Sequence, residues 1–145
     1  MLKIFFIIIF ITLQGCLPQS HAQNPQVCFK DHCFDVEVAS DEESRVRGLQ
    51  FRRQMPQDHG MFFIFPFESK YSFWMKDTLI PLDLIWLDSS RRVVYIARVV
   101  PPCKADPCPT YAPSRDALYV LEINSSCAAS AEIRVEDVAA FKFIE

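Results

Sequence analysis

Two acidic residues stand in stretches that are otherwise apolar, and they are the first candidates for chemistry. Asp83 lies within Pro-Leu-Asp-Leu-Ile-Trp, and Glu122 lies within Leu-Tyr-Val-Leu-Glu-Ile. A carboxylate is costly to bury unless it is paired. Two buried carboxyls with shifted pKa values would be able to act as general acid and general base, as in a small hydrolase or lyase. The alternative is a structural ion-pair network, which shifts pKa values without catalysing a reaction.

The side chains available to pair with these acids are Arg52, Lys76 and Thr78. In the structural interpretation they hold the 74–78 segment against a sheet. In the functional interpretation a ligand binds there, which predicts a binding site composed of Arg52, Asp58, Trp74, Lys76, Thr78 and Asp83. The favoured function is a non-enzymatic ligand-binding or accessory module, with the acid/base enzyme as the alternative.

Metal ligands are few in this sequence. Only His32 and His59 lie outside the first 22 residues, and a two-His site would need their two turns to converge. Met55, Met61 and Met75 offer soft ligands for copper, but Met61 and Met75 have Phe and Trp neighbours, which favours core packing. Ser, His and Asp do not occur in the local context of a catalytic triad. The sequence therefore predicts no metal and no cofactor.

Four of the six cysteines form two closely spaced pairs. Cys28 and Cys33 are separated by four residues, and so are Cys103 and Cys108. In an oxidising compartment this spacing predicts two local disulfides. Zinc is the alternative, since four residues is the edge of the usual spacing between paired zinc ligands.

Cys127 is left over from these pairs. The sequence around it, Asn-Ser-Ser-Cys-Ala-Ala-Ser-Ala, predicts the first turn of a short helix capped by Ser125 or Ser126. The start of a helix would favour a reactive thiolate. The alternative interpretation is a small buried thiol that packs like an apolar residue.

The N-terminal residues predict export. A basic residue is followed by ten mostly apolar residues, a run too short for a membrane span of about 20 residues and typical of a signal peptide. A signal peptide over 1–22 would release a soluble domain comprising 23–145. The alternative is cleavage after 1–15, because Leu-Gln-Gly-Cys resembles a lipobox and would leave Cys16 lipidated. Both predict a periplasmic protein without a transmembrane span, either soluble or held by a lipid anchor.

Composition limits the partners. The chain has 145 residues, with 15 Lys and Arg against 18 Asp and Glu. A net charge of −3 gives no reason to expect nucleic acid, whose partners are normally basic. A hydrophobic fraction of 50% and thirteen Phe exclude a disordered chain and are enough for one core. The expected partner is a small ligand or an envelope protein.

The elements that position the candidate residues are mostly strands. Alternation of apolar and polar residues, as in 33–38, predicts half-buried strands. Ser40 and Glu43 form a capping box that begins a helix ending near Gln50. Gly60 is expected to adopt a backbone conformation that other residues resist. Further strands are predicted at 27–29, 61–65, 71–74, 82–87, 93–100, 118–123 and 138–144. The predicted fold is mainly β (α+β), a twisted antiparallel sheet or small open barrel with two short helices.

Several motifs recur in a recognisable order along the chain. They are Gly48-Leu-x-x-Arg52, Met55-Pro-x-Asp58-x-Gly-Met-x-Phe-x-Phe65, Phe73-Trp-Met-Lys-x-Thr78, Pro81-Leu-Asp83, the Cys103/Cys108 loop and Val120-Leu-Glu122. Together they resemble the bacterial and archaeal family called domain of unknown function 192, over about residues 33–143. The resemblance implies a small, single-domain, β-rich and often exported protein, and it implies no particular activity. Asp77, Ser126 and Glu136 depart from the Asn, Gly and Gly that the family usually has there, which predicts altered turns.

Overall fold

The structure is a computed structural model that describes residues 24–143. The predicted signal peptide and Cys16 lie outside these residues. The strands are β1 (Gln26–Phe29), β2 (His32–Ala39), β3 (His59–Ser69), β4 (Phe73–Trp74), β5 (Leu82–Leu87), β6 (Val93–Val100), β7 (Thr110–Tyr111), β8 (Ala117–Asn124) and β9 (Ala140–Lys142). The helices are α1 (Glu42–Arg47) and α2 (Cys127–Ser130). The predicted mainly β fold with two short helices is confirmed.

Seven strands form one sheet in the order β6-β5-β8-β3-β2-β1-β9. The sheet curls into a half-barrel, and β4 and β7 form a separate two-stranded ribbon. The sheet is antiparallel except at one pair, because β2 and β3 are parallel, with Asp35 opposite His59 and Ala39 opposite Phe63. A parallel pair requires a connection that returns the chain to the end of the sheet where β2 begins. Residues 40–58, which include α1, form this connection.

Side chains of the sheet pack into two separate cores because alternate residues of a strand point to opposite faces. One side of the sheet, the first face, carries Met61, Phe63, Leu84, Trp86 and Val120. It is covered by Leu49, Met55 and Met75. The second face carries Phe62, Ile85, Leu87, Leu121 and Ile123, and it is covered by residues in and after α2, namely Ala128, Ala131 and Ile133. The interior strand β5 is therefore buried along its whole length.

Helix α1 begins one residue later than its sequence predicts. The N-cap is Asp41, whose carboxylate accepts a hydrogen bond from the Ser44 amide at 2.9 Å. The predicted capping box of Ser40 and Glu43 does not form, since an aspartate side chain reaches the same free amides from the next position. The helix ends at Gly48, whose φ of 47° is in the left-handed region that favours glycine.

Helix α2 forms where the sequence predicts it, with Ser126 at the N-cap. The Ser126 side chain makes no capping hydrogen bond. Its φ is 71°, and Asp77 and Glu136 also have positive values, 57° and 78°. The three departures from the family motifs therefore all occupy left-handed positions, where Gly or Asn is the usual residue.

Gly60 is required by space, and the expectation of an unusual backbone conformation is wrong. Gly48 is the only glycine among residues 24–143 with a positive φ. A Cβ at Gly60 would lie 2.5 Å from the backbone oxygen of Glu122 on the neighbouring strand. The absence of a side chain at Gly60 therefore allows β3 and β8 to pair.

Candidate functional site

A pocket of about 340 Å³ opens on the first face, between α1 with its following turn and the segment carrying β4. From the helical side it is lined by Glu42, Arg45, Val46, Arg47, Gly48, Leu49 and Gln50. From the sheet and the β4 segment it is lined by Phe63, Phe65, Tyr71, Ser72, Phe73, Trp74, Lys76, Thr78 and Glu122. Such a volume is within the usual range of small-molecule sites, about 300 to 1,000 Å³.

The aromatic wall of this pocket is fixed by packing behind it. The Phe73 ring meets the Phe63 ring edge-on, with centroids 5.0 Å apart, and meets Trp86 in the same way at 5.7 Å. The buried Trp86 indole nitrogen donates a hydrogen bond to the Tyr71 carbonyl at 2.9 Å. The rings that face the pocket are thus held by the core and present a preformed apolar surface.

Glu122 is the polar group of the pocket floor. It lies on β8, directly opposite Met61 of β3 and Leu84 of β5, and only 5% of it is exposed. Every fully buried side-chain oxygen or nitrogen in residues 24–143 has a hydrogen-bond partner. The Glu122 side chain has no partner among these residues. Its oxygens are therefore not fully buried, and they contact the pocket. Burial raises the pKa of Glu122 to about 8. Its carboxyl group is therefore mainly protonated at neutral pH and able to donate a hydrogen bond.

Basic side chains surround the pocket. The Arg45 guanidinium donates hydrogen bonds to the carbonyls of Ser40 and Ile64 and lies 5.5 Å from the centroid of the Phe65 ring. Arg47 lies 3.6 Å from the Glu43 carboxylate, in a pair that is mostly exposed. The Arg45 contacts hold its guanidinium at the pocket wall, whereas the exposed Arg47–Glu43 pair is weak and leaves Arg47 able to bind another anion.

Lys76 supplies a third basic group, from the segment after β4. Its ammonium nitrogen lies 5.6 Å from the Trp74 ring centroid and 3.6 Å from the Asp106 carboxylate. Because the Lys76–Asp106 pair is largely exposed, it is weak and leaves Lys76 able to bind another anion.

Asp83 lies on the other side of the sheet from Glu122. Along β8 it faces Ile123, which belongs to the second face, whereas Glu122 belongs to the first. Its two carboxylate oxygens accept hydrogen bonds from the backbone amides of Val99 at 2.8 Å and Ala128 at 2.9 Å. The predicted acid/base pair is therefore not formed, because adjacent positions along paired strands point to opposite faces.

Arg52 and Asp58 also lie outside the pocket. Arg52 forms a two-pronged ion pair with Glu37, which lowers the pKa of Glu37. Asp58 contacts the His59 ring nitrogen at 2.8 Å, which lowers the pKa of Asp58. Arg52, a predicted partner of the buried acids, thus pairs with Glu37 instead, and Asp58, a predicted binding residue, pairs with His59.

The predicted binding residues divide into two groups. Trp74, Lys76 and Thr78 line the pocket together with Glu122, whereas Arg52, Asp58 and Asp83 do not. Sequence reasoning missed Arg45, Phe63 and Phe65. Period-two alternation on β3 places Phe63 and Phe65 on one face, but it does not show that this face borders a cavity.

Both predicted disulfides are present, with sulfur–sulfur distances of 2.12 Å for Cys28–Cys33 and 2.09 Å for Cys103–Cys108. The first bridges the hairpin of β1 and β2. The second closes a loop next to the pocket, where the Cys103 amide donates to the Met75 carbonyl at 3.3 Å. That loop leads into β7, which pairs with the β4 strand of the pocket wall.

Cys127 is a partly buried free thiol. Its sulfur lies 3.1 Å from the Gln57 side-chain oxygen. Burial and then the negative charge of Asp83 raise the pKa of Cys127. The expectation that the helix start favours a thiolate is therefore wrong.

Within residues 24–143, no three His, Cys, Asp or Glu side chains are grouped as metal ligands would be. No helix in this part of the chain is long and apolar enough to cross a membrane.

Comparison with known proteins gives related structures. A protein of unknown function from Novosphingobium aromaticivorans is 31% identical, with a TM-score of 0.72 over 80% of this chain and 82% of that one. A protein from Sinorhizobium meliloti, described as a proposed transcription regulator, is 30% identical, with a TM-score of 0.71 over 81% and 91% of the two chains. No curated protein matches the sequence. The family model described as DUF192, Uncharacterized ACR, matches residues 25–141, so the protein belongs to the domain of unknown function 192 family.

Proposed function

We propose that this protein is an exported module that binds a small organic ligand in the pocket between α1 and β4, without chemically changing it. The observation that carries the proposal is the Glu122 carboxyl group, which is buried on the floor of an apolar pocket and has no partner among residues 24–143. A ligand atom that forms a hydrogen bond with Glu122 would remove the cost of burying it alone.

The enzyme alternative required a second acid beside Glu122. Asp83 is on the other face of the sheet and is occupied by two backbone amides. Glu42, the other acidic residue that lines the pocket, is an exposed residue of α1. Binding therefore accounts for the pocket with fewer assumptions than hydrolysis or lyase chemistry.

A fragment screen by ligand-observed NMR tests the binding proposal. The library contains small aromatic compounds, and each is measured with the wild type and with Ser72→Trp, which fills the mouth of the pocket. Ser114→Trp, at an exposed loop position outside the pocket, is the matched control. We expect fragments that bind the wild type and Ser114→Trp but not Ser72→Trp. The proposal fails if no fragment binds, or if Ser72→Trp binds the same fragments equally well.

Recovery of the bound fragments tests the absence of catalysis. After prolonged incubation with the protein, mass spectrometry should detect each fragment unchanged. If the wild type converts a fragment and Glu122→Gln does not, the protein is an enzyme instead.

Export is the second element of the proposal. It is supported by the composition of residues 1–22 and by the two disulfides, which are typical of oxidising compartments. The test is the intact mass of protein from envelope fractions, measured before and after reduction and alkylation. We expect either a chain that begins at Gln23 or one acylated at Cys16, and in both cases reduction should expose four further thiols. An uncleaved chain in the cytosolic fraction would contradict export.

A further inference from the structure

We infer that the ligand of the pocket is an organic anion with a flat apolar body, whose negative group lies at the basic rim while an acceptor atom faces Glu122. This inference rests on the proposed binding function and names the chemical class of its ligand. The rim is formed by Arg45, Arg47 and Lys76.

Charge is the first support for an anion. Three basic side chains line the pocket, and the charged acid among the lining residues is the exposed Glu42 when Glu122 carries its proton. Arg47 and Lys76 each also lie 3.6 Å from a carboxylate, of Glu43 and Asp106, in exposed pairs that are weak. The whole chain has the opposite balance, with a net charge of −3. Because exposed pairs are weak, the three cations are able to attract an anion to this site on a protein that is otherwise negative.

The same side chains disfavour a cationic ligand. An ammonium group near Glu122 would gain a carboxylate partner, but it would lie in a pocket with three basic groups. Two of the ring faces that could attract a cation are already in use, because Arg45 lies over Phe65 and Lys76 lies over Trp74.

The apolar body of the ligand follows from the aromatic wall. Phe63 and Phe73 present ring surfaces to the pocket, and the Phe73 ring is held edge-on between Phe63 and Trp86. A flat ring system packs well against such surfaces. The floor of the pocket carries Glu122, and its neighbours on the paired strands are Met61 and Leu84. Neither side chain offers a strong acceptor that would compete with the ligand for the Glu122 proton.

Three probes with the same naphthalene ring and different charges test the inference. They are 6-methoxynaphthalene-2-carboxylate and the matching 2-methanol and 2-methylammonium compounds. Each also carries a methoxy oxygen that can accept a hydrogen bond from Glu122. Each is titrated by isothermal calorimetry with NMR mapping of the binding residues. We expect the carboxylate to bind about tenfold more tightly than the ammonium, with the alcohol between them. Tighter binding of the ammonium would overturn the inference and leave the proposed function standing. Absence of binding by all three would overturn both.

Variants separate the rim from the floor. Lys76→Met should weaken the carboxylate about five- to tenfold and leave the alcohol unchanged, whereas Lys30→Met, in an exposed turn, should change neither. Glu122→Gln retains a hydrogen-bond donor, so it should keep carboxylate affinity within about threefold, and Glu122→Leu should lose about tenfold or more. If both Lys76→Met and Glu122→Leu bind the carboxylate as tightly as the wild type does, the proposed orientation is wrong.

The pH dependence gives an independent readout. Carboxylate affinity should fall as the pH rises past about 8 in the wild type and should be flat across this range in Glu122→Gln. The other charged or titratable groups facing the pocket are Glu42, Arg45, Arg47, Tyr71 and Lys76. Because all five remain in Glu122→Gln, a fall that persists in this variant would assign the effect to one of them and contradict the role of Glu122 as donor.

Discussion

Asp83 and Glu122 lie one register position apart on the paired strands β5 and β8, yet their carboxyl groups are on opposite faces of the sheet. Asp83 accepts two hydrogen bonds from backbone amides, whereas Glu122 has no partner among residues 24–143 and faces a pocket. One acid is therefore satisfied within the fold and the other is not. Substitutions at the two positions are expected to have opposite effects on stability.

Glu122 should make the protein less stable as the pH rises. Its pKa is raised from 4.5 to about 8 on folding. Between these values the unfolded chain loses the proton and the folded protein keeps it, so the free energy of unfolding falls with pH. At about 1.4 kcal/mol per pKa unit, the fall is at most about 5 kcal/mol. Urea denaturation at about pH 5 and about pH 8 measures it.

Glu122→Gln should abolish this slope, because a neutral amide does not titrate. Glu132→Gln, at an exposed position after α2, is the control and should keep it. The lowered pKa of Glu37 affects stability below about pH 4.5, and the raised pKa of Cys127 affects it above about 9, outside the window. A wild-type protein that is equally stable at both pH values would show that Glu122 is not buried as described.

Asp83→Asn should destabilise the protein by about 2 to 4 kcal/mol. The amide side chain has one acceptor oxygen for two backbone amides, those of Val99 and Ala128, and hydrogen bonds to charged groups are among the stronger ones. The affinity for the 6-methoxynaphthalene carboxylate probe should stay within about twofold of the wild type. Should the variant remain stable and lose this affinity, Asp83 would belong to the ligand site after all.

The Cys103–Cys108 disulfide should matter for binding and the Cys28–Cys33 disulfide should not. Both close loops with a sequence separation of 5, so replacing either pair by Ser should cost a similar amount of stability, about 2 kcal/mol. Only the Cys103–Cys108 loop supports the β4 strand of the pocket wall. Calorimetry should therefore show weaker carboxylate binding, by about threefold or more, in Cys103→Ser/Cys108→Ser alone. Equal losses in both double variants would exclude a local role for the loop.

Cys127 should react slowly with iodoacetamide. Partial burial and the nearby Asp83 charge raise its pKa, so less thiolate is present than in a free thiol. At neutral pH its alkylation rate in the folded protein should be below that of glutathione, and it should approach that rate after denaturation. A folded-state rate above that of glutathione would identify an activated cysteine.

Ser126→Gly should stabilise the protein by about 1 kcal/mol. Ser126 has a φ of 71°, which costs an ordinary residue about 1 to 2 kcal/mol and costs glycine little. Ser125 does not share this conformation, so Ser125→Gly should be neutral or destabilising. Thermal denaturation of the two variants compares them directly, and a destabilised Ser126→Gly would contradict the left-handed conformation.

Much of the fold could be read from the sequence because the deciding signals are local. Period-two alternation located the main strands, and five-residue cysteine separations located both disulfides. The ordered motifs identified the family, whose model matches residues 25–141. The apolar surroundings of Asp83 and Glu122 correctly indicated two buried acids, since both are at most 5% exposed.

The tertiary structure decided which groups these buried residues meet. The amides that satisfy Asp83 come from Val99 and Ala128, the second of which is 45 residues away, and no local pattern specifies such a distant contact. The parallel pairing of β2 and β3 and the need for Gly60 likewise depend on register between strands. Alternation determines that a strand has two faces. Only the packing of α1, α2 and the β4–β7 ribbon determines that one face is sealed while the other leaves Glu122 in a pocket.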